Sequence, residues 1–479
     1  RCNSNIDFDA LSRLAQHTKT QTQTQTQNIL SNQDIQVLLL YMKYHVKSRL
    51  KCRQIIVGLD IGTTKIACLV GRKTDHGKIE ILGIGKAPSL GVTRGVVSNI
   101  EKTVQSIRAA VDEAESKSGI EIKVVNVGIA GQHIRSMQHS DYIMREDAEA
   151  IINVNDLESL QKNVHNLVMM PGEQILHALP QEYKVDGDAN IVNPQGMYGS
   201  RLEANFHIVV GQIASIKNIA RCVEQSELKV GDITLEPLAS AAAVLAEEEK
   251  DAGVVLVDIG GGTTDIAIFK DHIIRHTAVI PFGGKVITED IKEGCEIIEK
   301  QAETLKVKFG SAWPGENKDN EIVSIPGLRG RPPKEISLKT LSKIINARVR
   351  EIMESVIAEI RNYQQNDPRK RLIGGIVLTG GGSQLKHMSQ LVEYLTGMPT
   401  RIGYPNEHLA SGYVKELASP VYATSIGLLS MALESQDHPM AYDPRETEQP
   451  IVPEAPAAED EQIEEQMLDS NRIPSLMRR

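Results

Sequence analysis

Apolar and polar positions between residues 54 and 435 follow two alternating rhythms. "QIIVGLDIG" and "KIACLVG" read as two strands around a turn, and "GKIEILGIGKAPS" continues as a third. "NIEKTVQSIRAAVDEAESKSG" (99–119) then carries its apolar residues at helical spacing, with Asn99 as cap and Gly119 as stop. "VVNVGIAG" (124–131) is a buried strand, and "TLEPLASAAAVLAEEEK" (234–250) starts as a strand and runs into an alanine-rich helix. "GVVLVDIGGGTTDIAIFKDHIIRHTAVI" reads as three strands in succession, and "IGGIVLTGGGSQLKHMSQLVEYLTG" (373–397) as strand, glycine turn and helix. Hairpins, then helices, then another strand occur twice. The pattern predicts an α/β chain with mixed sheets in two related halves.

The repeat includes one short phrase, "LDIGTTK" in the first half and "VDIGGGTTD" in the second. Each copy places an Asp (Asp60, Asp258) at the end of an apolar strand, then glycine where a side chain would block backbone approach, then a Thr pair. Successive N–H groups in a tight turn form an anion-binding concavity. Mg²⁺ keeps several waters and takes one or two carboxylates beside phosphate oxygens. The two turns can therefore clamp one Mg-nucleotide from both sides, with Lys65 as a point charge on phosphate and Asp265 orienting water or metal. Taken singly, either turn is an ordinary hairpin connector. "TGGGSQL" (379–385) reads as a glycine turn at a helix start, which suits a phosphate or flat ligand and equally a loop with positive φ. Neither GxGxxG nor GxxxxGK[ST] spacing occurs, which excludes Rossmann and P-loop readings. Glu236 precedes a proline that opens a helix; it reads as a helix-start stabiliser, or as a group that positions water. Glu303 and Lys306 stand at i, i+3, the spacing of a solvated pair.

Composition narrows the class without changing this picture. The net charge of −9, with no strongly basic domain, argues against a nucleic-acid surface. Five cysteines, at 2, 52, 68, 222 and 295, are odd in number and form no CxxC, so neither a disulfide framework nor structural zinc is expected. No apolar run approaches the roughly 20 residues of a membrane span. Residues 1–53 include the polar tract "TKTQTQTQTQ" and read as a disordered extension or as sequence upstream of a start near Met42. Residues 436–470 are acidic and proline-rich, as in a disordered tail, before the basic and apolar "NRIPSLMRR".

Together these turns resemble the actin-like ATPase superfamily: actin, the Hsp70 ATPase domain, MreB and sugar kinases. "DIGTTK" is similar to its first phosphate motif, "DIGGGTTD" to its second and "TGGGSQL" to its adenosine motif. "LEPLASAAAVLA" and "SPVYATSIGLLSMAL" (419–433) are similar to its two connecting helices, and the order holds over the whole of 54–435. The resemblance implies a duplicated, ribonuclease H-like two-domain fold around a cleft for ATP and Mg²⁺. It implies that Asp60 and Asp258 hold Mg²⁺ through water. Gly62, Thr63, Thr64 and Lys65, with Gly260, Gly261, Gly262, Thr263 and Thr264, would bind phosphate. Gly283, Gly284, Glu303, Lys306, Gly380, Gly381, Gly382 and Ser383 would line the adenosine side. Glu236 would face the attacking water, with Asp265 assisting.

Within the superfamily, "LPQEYKVD…NPQGMYGSRLEANFHIV" closely resembles the FtsA family of bacterial cell-division proteins. That resemblance divides the chain into an extension (1–53), a first actin-like domain (54–135 with 217–249 and 420–435, subdomain 1A), an inserted subdomain 1C (136–216), a second domain (250–419, 2A and 2B) and an acidic linker with tail (436–479). It implies actin-like filaments and at most slow ATP hydrolysis. It further implies binding of the FtsZ C-terminal peptide, recruitment of later division proteins through 136–216, and a place on the cytoplasmic face of the inner membrane at the septum. The family tethers itself to lipid by a C-terminal amphipathic helix. Ile473, Leu476 and Met477 with Arg472, Arg478 and Arg479 suit that role, whereas Pro474 breaks a helix. A PilM-like pilus-assembly protein and a small-molecule kinase are the alternatives. The kinase needs a substrate-side base that the sequence does not offer, and the "NPQGMYGSRLEANFHIV" wording favours the division family.

Overall fold

The computed structural model describes residues 55–437, apart from Glu146, Ala148, 317–319, 328–331, Asn366 and 413–414. The N-terminal extension, with Cys2 and Cys52, and the tail beyond residue 437 lie outside the described residues.

Three antiparallel strands come first: β1 (Ile55–Ile61), β2 (Lys65–Lys73) and β3 (Ile79–Pro88). β1 exposes only its first residue, as expected of a strand covered on both faces. A small hairpin, β4 (Val92–Thr93) and β5 (Val96–Val97), leads into α1 (Ile100–Ser118). That helix begins where the Asn99 side chain accepts the Lys102 N–H at 2.9 Å, and it ends at Gly119, whose φ of 69° is left-handed. β6 (Val124–Ile129) returns parallel to β1. The chain then forms β7 (Ile134–Met144), α2 (Val154–His165), β8 (Glu173–Val185), β9 (Asp188–Ile191) and β10 (Arg201–Gln212). It comes back through α3 (Ile213–Gln225) to β11 (Lys229–Leu235), parallel to β6.

The alanine-rich segment is two helices, α4 (Glu236–Val244) and α5 (Glu247–Ala252), which corrects the single helix expected over 234–250. Two contacts break it. Arg401 Nη2 donates to the Val244 carbonyl at 2.8 Å, and the Glu249 carboxylate takes the Ala246 N–H at 2.9 Å, starting a new helix.

The second half repeats the first. β12 (Val254–Ile259), β13 (Thr264–Lys270) and β14 (Ile273–Ile280) are antiparallel. α6 (Gly284–Gly294), α7 (Glu299–Phe309), the hairpin β15 (Ile322–Ile325) and β16 (Lys334–Ser337), and the long α8 (Leu338–Gln364) follow. β17 (Gly375–Thr379) pairs parallel to β12, α9 (Met388–Thr396) crosses over, and β18 (Thr400–Ile402) pairs parallel to β17. α9 opens only after a 3-10 turn at Gly381–Gln384, so the glycines and the helix are not contiguous as the sequence suggested. α10 (Ala423–Asp437) ends the described chain.

The two sheets run β3-β2-β1-β6-β11 and β14-β13-β12-β17-β18, the same order and the same senses. β7, β10, β8 and β9 form a separate sheet with its own core, including Leu160, Phe206 and Ile208. That sheet leans on β14: Ser136 Oγ donates to the Thr277 carbonyl at 2.9 Å, and His207 Nε2 lies 3.0 Å from Thr277 Oγ1. Burial, with His276 nearby, pushes the His207 pKa down to about 4, so its ring is neutral. α4 and α10 fill the layer between the duplicated sheets, where Ile56, Ala67 and Leu69 share one core with Val254, Leu256 and Ala267. The helices touch backbone to backbone: a Cβ on Gly427 would lie 1.7 Å from the Ala239 carbonyl oxygen.

Candidate functional site

Both repeated turns sit where a buried strand stops. Asp60 is the next-to-last residue of β1 and Asp258 the next-to-last of β12; they are 5% and 8% exposed. Gly260 N–H closes the second turn onto the Thr263 carbonyl at 2.9 Å. The two turns meet across the molecule. A Cβ on Gly261 would lie 2.3 Å from Thr64 Cγ2, and one on Gly262 would lie 2.5 Å from Thr63 Oγ1. Glycine at these positions lets the turns approach so closely. Of the residues read from the sequence, Thr63 and Thr64 are thus brought against Gly261 and Gly262.

The carboxylates behind the turns are held crosswise. Asp60 Oδ2 accepts from Lys65 Nζ at 2.8 Å and from Ser425 Oγ at 3.0 Å. Asp258 Oδ2 accepts from Ser240 Oγ at 2.7 Å and Thr424 Oγ1 at 3.4 Å, and those two hydroxyls lie 2.9 Å apart. Ser240 belongs to α4, which leaves the first sheet, yet it holds the second sheet's Asp258. Ser425 belongs to α10, which follows the second sheet, yet it holds Asp60. The sequence reading missed these hydroxyls because small residues in alanine-rich helices read as packing.

Asp265 pairs opposite Asp258 in the β12–β13 ladder. Burial and the Asp258 charge push its pKa up to about 8, against the opposing hydrogen bond from Thr263 Oγ1 at 3.0 Å. Its Oδ1 is buried without a hydrogen-bond partner. Glu236, at the start of α4, is raised well above the usual carboxylate range by burial and by Asp60, Asp265 and Asp258, with Lys65 opposing. Burial likewise raises Asp258, while the Ser240 hydroxyl opposes the rise. Among the described residues no three His, Cys, Asp or Glu side chains converge closely enough to ligate a metal directly. Carboxylates so placed suit a hydrated cation rather than a caged one.

The expected adenosine-side residues divide by role. Gly283 packs on the second turn, since its Cβ would lie 2.7 Å from the Gly260 carbonyl oxygen, and Gly284 N–H donates to that oxygen at 2.9 Å. Lys306 is not the solvated partner its spacing suggested. Its side chain is 13% exposed, and its Nζ reaches Gly284 O at 2.8 Å, Thr288 Oγ1 at 2.7 Å and Glu303 Oε2 at 2.8 Å. It ties α7 to the start of α6. Gly380, with φ 78°, and Gly382 press against the end of β12, where added Cβ atoms would fall 2.2 Å from Asp258 Oδ1 and 2.3 Å from Ile259 Cγ2. Ser383 Oγ donates to the Gly380 carbonyl at 2.7 Å. Gly381 is exposed, with nothing nearer its Cβ position than Val421 at 3.9 Å. A surface cavity of about 400 Å³ opens beside this turn, lined by Ser383, Gln384, Leu385, His387 and Tyr404 among others. It includes none of the four carboxylates.

A family model described as cell division protein FtsA matches residues 255–427, and a model of the SHS2 domain inserted in FtsA matches residues 131–210. The chain is 41% identical over 388 residues to the cell division protein FtsA of Pseudomonas aeruginosa, covering 81% of this chain and 91% of that one. It is 34% identical over 387 residues to the protein of the same name from Escherichia coli K12, covering 80% and 91%. Among solved structures it is similar to a PilM-PilN type IV pilus biogenesis complex, with TM-score 0.58 and 14% identity over 80% of this chain and 99% of that one. At that identity the likeness concerns the fold.

Proposed function

Because the chain belongs to the FtsA family of cell division proteins, with an actin-like fold and the family's inserted domain, we propose that it holds Mg-ATP between its two facing turns as a switch for assembly. The observation that carries this reading is the crosswise holding of Asp60 and Asp258 by the two connecting helices. Any ligand that engages both turns engages both halves at once. The residues fit such a ligand. Asp265 Oδ1 is buried without a partner; burial and the charges of Asp60, Asp265 and Asp258 raise Glu236 against Lys65, and burial and the Asp258 charge raise Asp265 against the Thr263 hydroxyl. A hydrated divalent cation supplies the missing positive charge when bound. Asp60 and Asp258 would hold it through water. The turn N–H groups with Thr63, Thr64, Thr263 and Thr264 would take phosphate, and the exposed Gly381 would border the adenosine. Glu236, at the start of α4, would face the attacking water with Asp265 beside it, and the proposed hydrolysis is slow at most.

At the level of the cell, the proposed role is to polymerise and to tie the FtsZ ring to the inner membrane at the septum, through the FtsZ C-terminal peptide. The inserted sheet (136–216), between the first domain (54–135 with 217–249 and 420–435) and the second (250–419), is the surface for later division proteins. The tail through Arg479 is the lipid contact. Among the described residues no helix is long and apolar enough to cross a membrane. Pelleting with anionic vesicles and the FtsZ peptide, with and without Mg-ATP, tests the role. The full chain should pellet, and a chain ending at residue 435 should stay in solution. Equal pelleting of both would overturn the anchor, and no rise in melting temperature with Mg-ATP would overturn the cleft.

A further inference from the structure

We propose that Arg94 binds the terminal phosphate of the nucleotide and sets the preference for a nucleoside triphosphate over a diphosphate. The inference rests on the reading of the two turns as one Mg-nucleotide clamp. β4 and β5 are joined by the two-residue turn Arg94–Gly95, with Thr93 paired to Val96. Both turn residues have positive φ, 51° and 75°, the geometry of a primed hairpin turn. Glycine adopts it freely; arginine holds it only where the surroundings fix the backbone.

The surroundings do so from three sides. Gly95 N–H donates to Thr63 Oγ1, in the first turn, at 3.2 Å. A Cβ on Gly95 would lie 2.6 Å from the Ala130 carbonyl oxygen and 2.8 Å from Gly131 Cα, so the hairpin is seated where β6 ends. A Cβ on Gly262, in the second turn, would lie 3.0 Å from Arg94 Cα. Arg94 is therefore fixed at the point where the two turns meet, although it belongs to neither.

Its side chain is exposed, and no hydrogen bond or ion pair engages it among the described residues. Lys65, by contrast, is already paired with Asp60 at 2.8 Å and lies over the Tyr422 ring, 5.3 Å from its centroid. A guanidinium is always charged, and its planar fork matches phosphate oxygens two at a time. The N–H groups and threonines of the turns can serve the phosphates lying against them. A longer cationic side chain anchored at their junction is placed for the outermost one, which a diphosphate lacks.

Titration of the full chain with Mg-ATP and with Mg-ADP tests the assignment. Arg94→Gly removes the guanidinium and relieves the positive φ. It should lose about 10–100-fold in ATP affinity while ADP changes less than about threefold, as for a charge-assisted phosphate contact. Arg94→Lys should recover part of the loss. If the glycine variant melts below the unaltered chain, Arg94→Glu decides: it should abolish the preference for ATP. Equal loss for both nucleotides, or an ATP preference unchanged in the glycine and glutamate variants, overturns the role of Arg94 while the clamp stands. If the unaltered chain binds neither nucleotide, the clamp fails and this assignment fails with it.

Discussion

Gly427→Ala should both destabilise the chain and weaken its hold on nucleotide. The added Cβ would lie 1.7 Å from the Ala239 carbonyl oxygen and 2.3 Å from its carbon, both backbone atoms that cannot rotate away. Reaching even 3.0 Å requires α4 and α10 to part by 3.0 − 1.7 = 1.3 Å along that line. Overpacking of this kind costs about 1–3 kcal/mol, and a clash with backbone belongs at or beyond the upper end. Alanine in a helix interior returns about 1 kcal/mol relative to glycine. The expected net loss is about 2 kcal/mol. The same parting stretches the 2.7 Å Ser240–Asp258 and 2.9 Å Ser240–Thr424 contacts, which join α4, α10 and the second sheet. Thermal melts with and without Mg-ATP provide the assay. The melting point should fall without nucleotide, and the increment from Mg-ATP should shrink as well. A variant as stable as the parent, or one destabilised with its full Mg-ATP increment intact, refutes the idea that this crossing organises the cleft.

Three further outcomes are expected. Ser425→Ala deprives Asp60 of its hydroxyl partner; hydrogen bonds to charged groups contribute about 1.5–3 kcal/mol, so the Mg²⁺ needed for half-maximal nucleotide binding should rise about tenfold. An unchanged Mg²⁺ requirement counts against the role of the hydroxyl. Asp265 holds its proton up to about pH 8 in the folded chain, against 3.8 for an unperturbed aspartate. Between these values the folded chain keeps a proton that the unfolded chain has released, so this group makes stability fall as pH rises through that window. Melting curves of Asp265→Asn across the window should show a shallower decline; a parallel curve rejects the shift. Thr277→Val leaves the buried His207 Nε2 without its partner, at a cost of about 1–3 kcal/mol, and should speed amide exchange in β7 and β14 while sparing α8.

The fold and the two facing turns were legible because their signals are local. "DIGTTK" and "DIGGGTTD" announce strand ends and close backbone approach in a few residues, and Asn99 and Gly119 mark α1 through caps within its own turns. What escaped the sequence is long-range. Ser240 finds Asp258 across 18 positions, and Ser425 finds Asp60 across 365. The break at Leu245 depends on Arg401, 157 positions beyond Val244. Lys306 looked solvent-facing because the carbonyl it holds, on Gly284, lies 22 positions away. The preference of Asp265 for its protonated form likewise follows from burial beside Asp258, a matter of register and packing rather than residue type.

Calorimetric titration of the full chain with Mg-ATP, beside Asp60→Asn and Asp258→Asn, tests the central claim most directly. One clamp built from both halves predicts one site per chain, with affinity lowered by either substitution although the two lie on different sheets. Two independent sites, or full affinity in either variant, would contradict it.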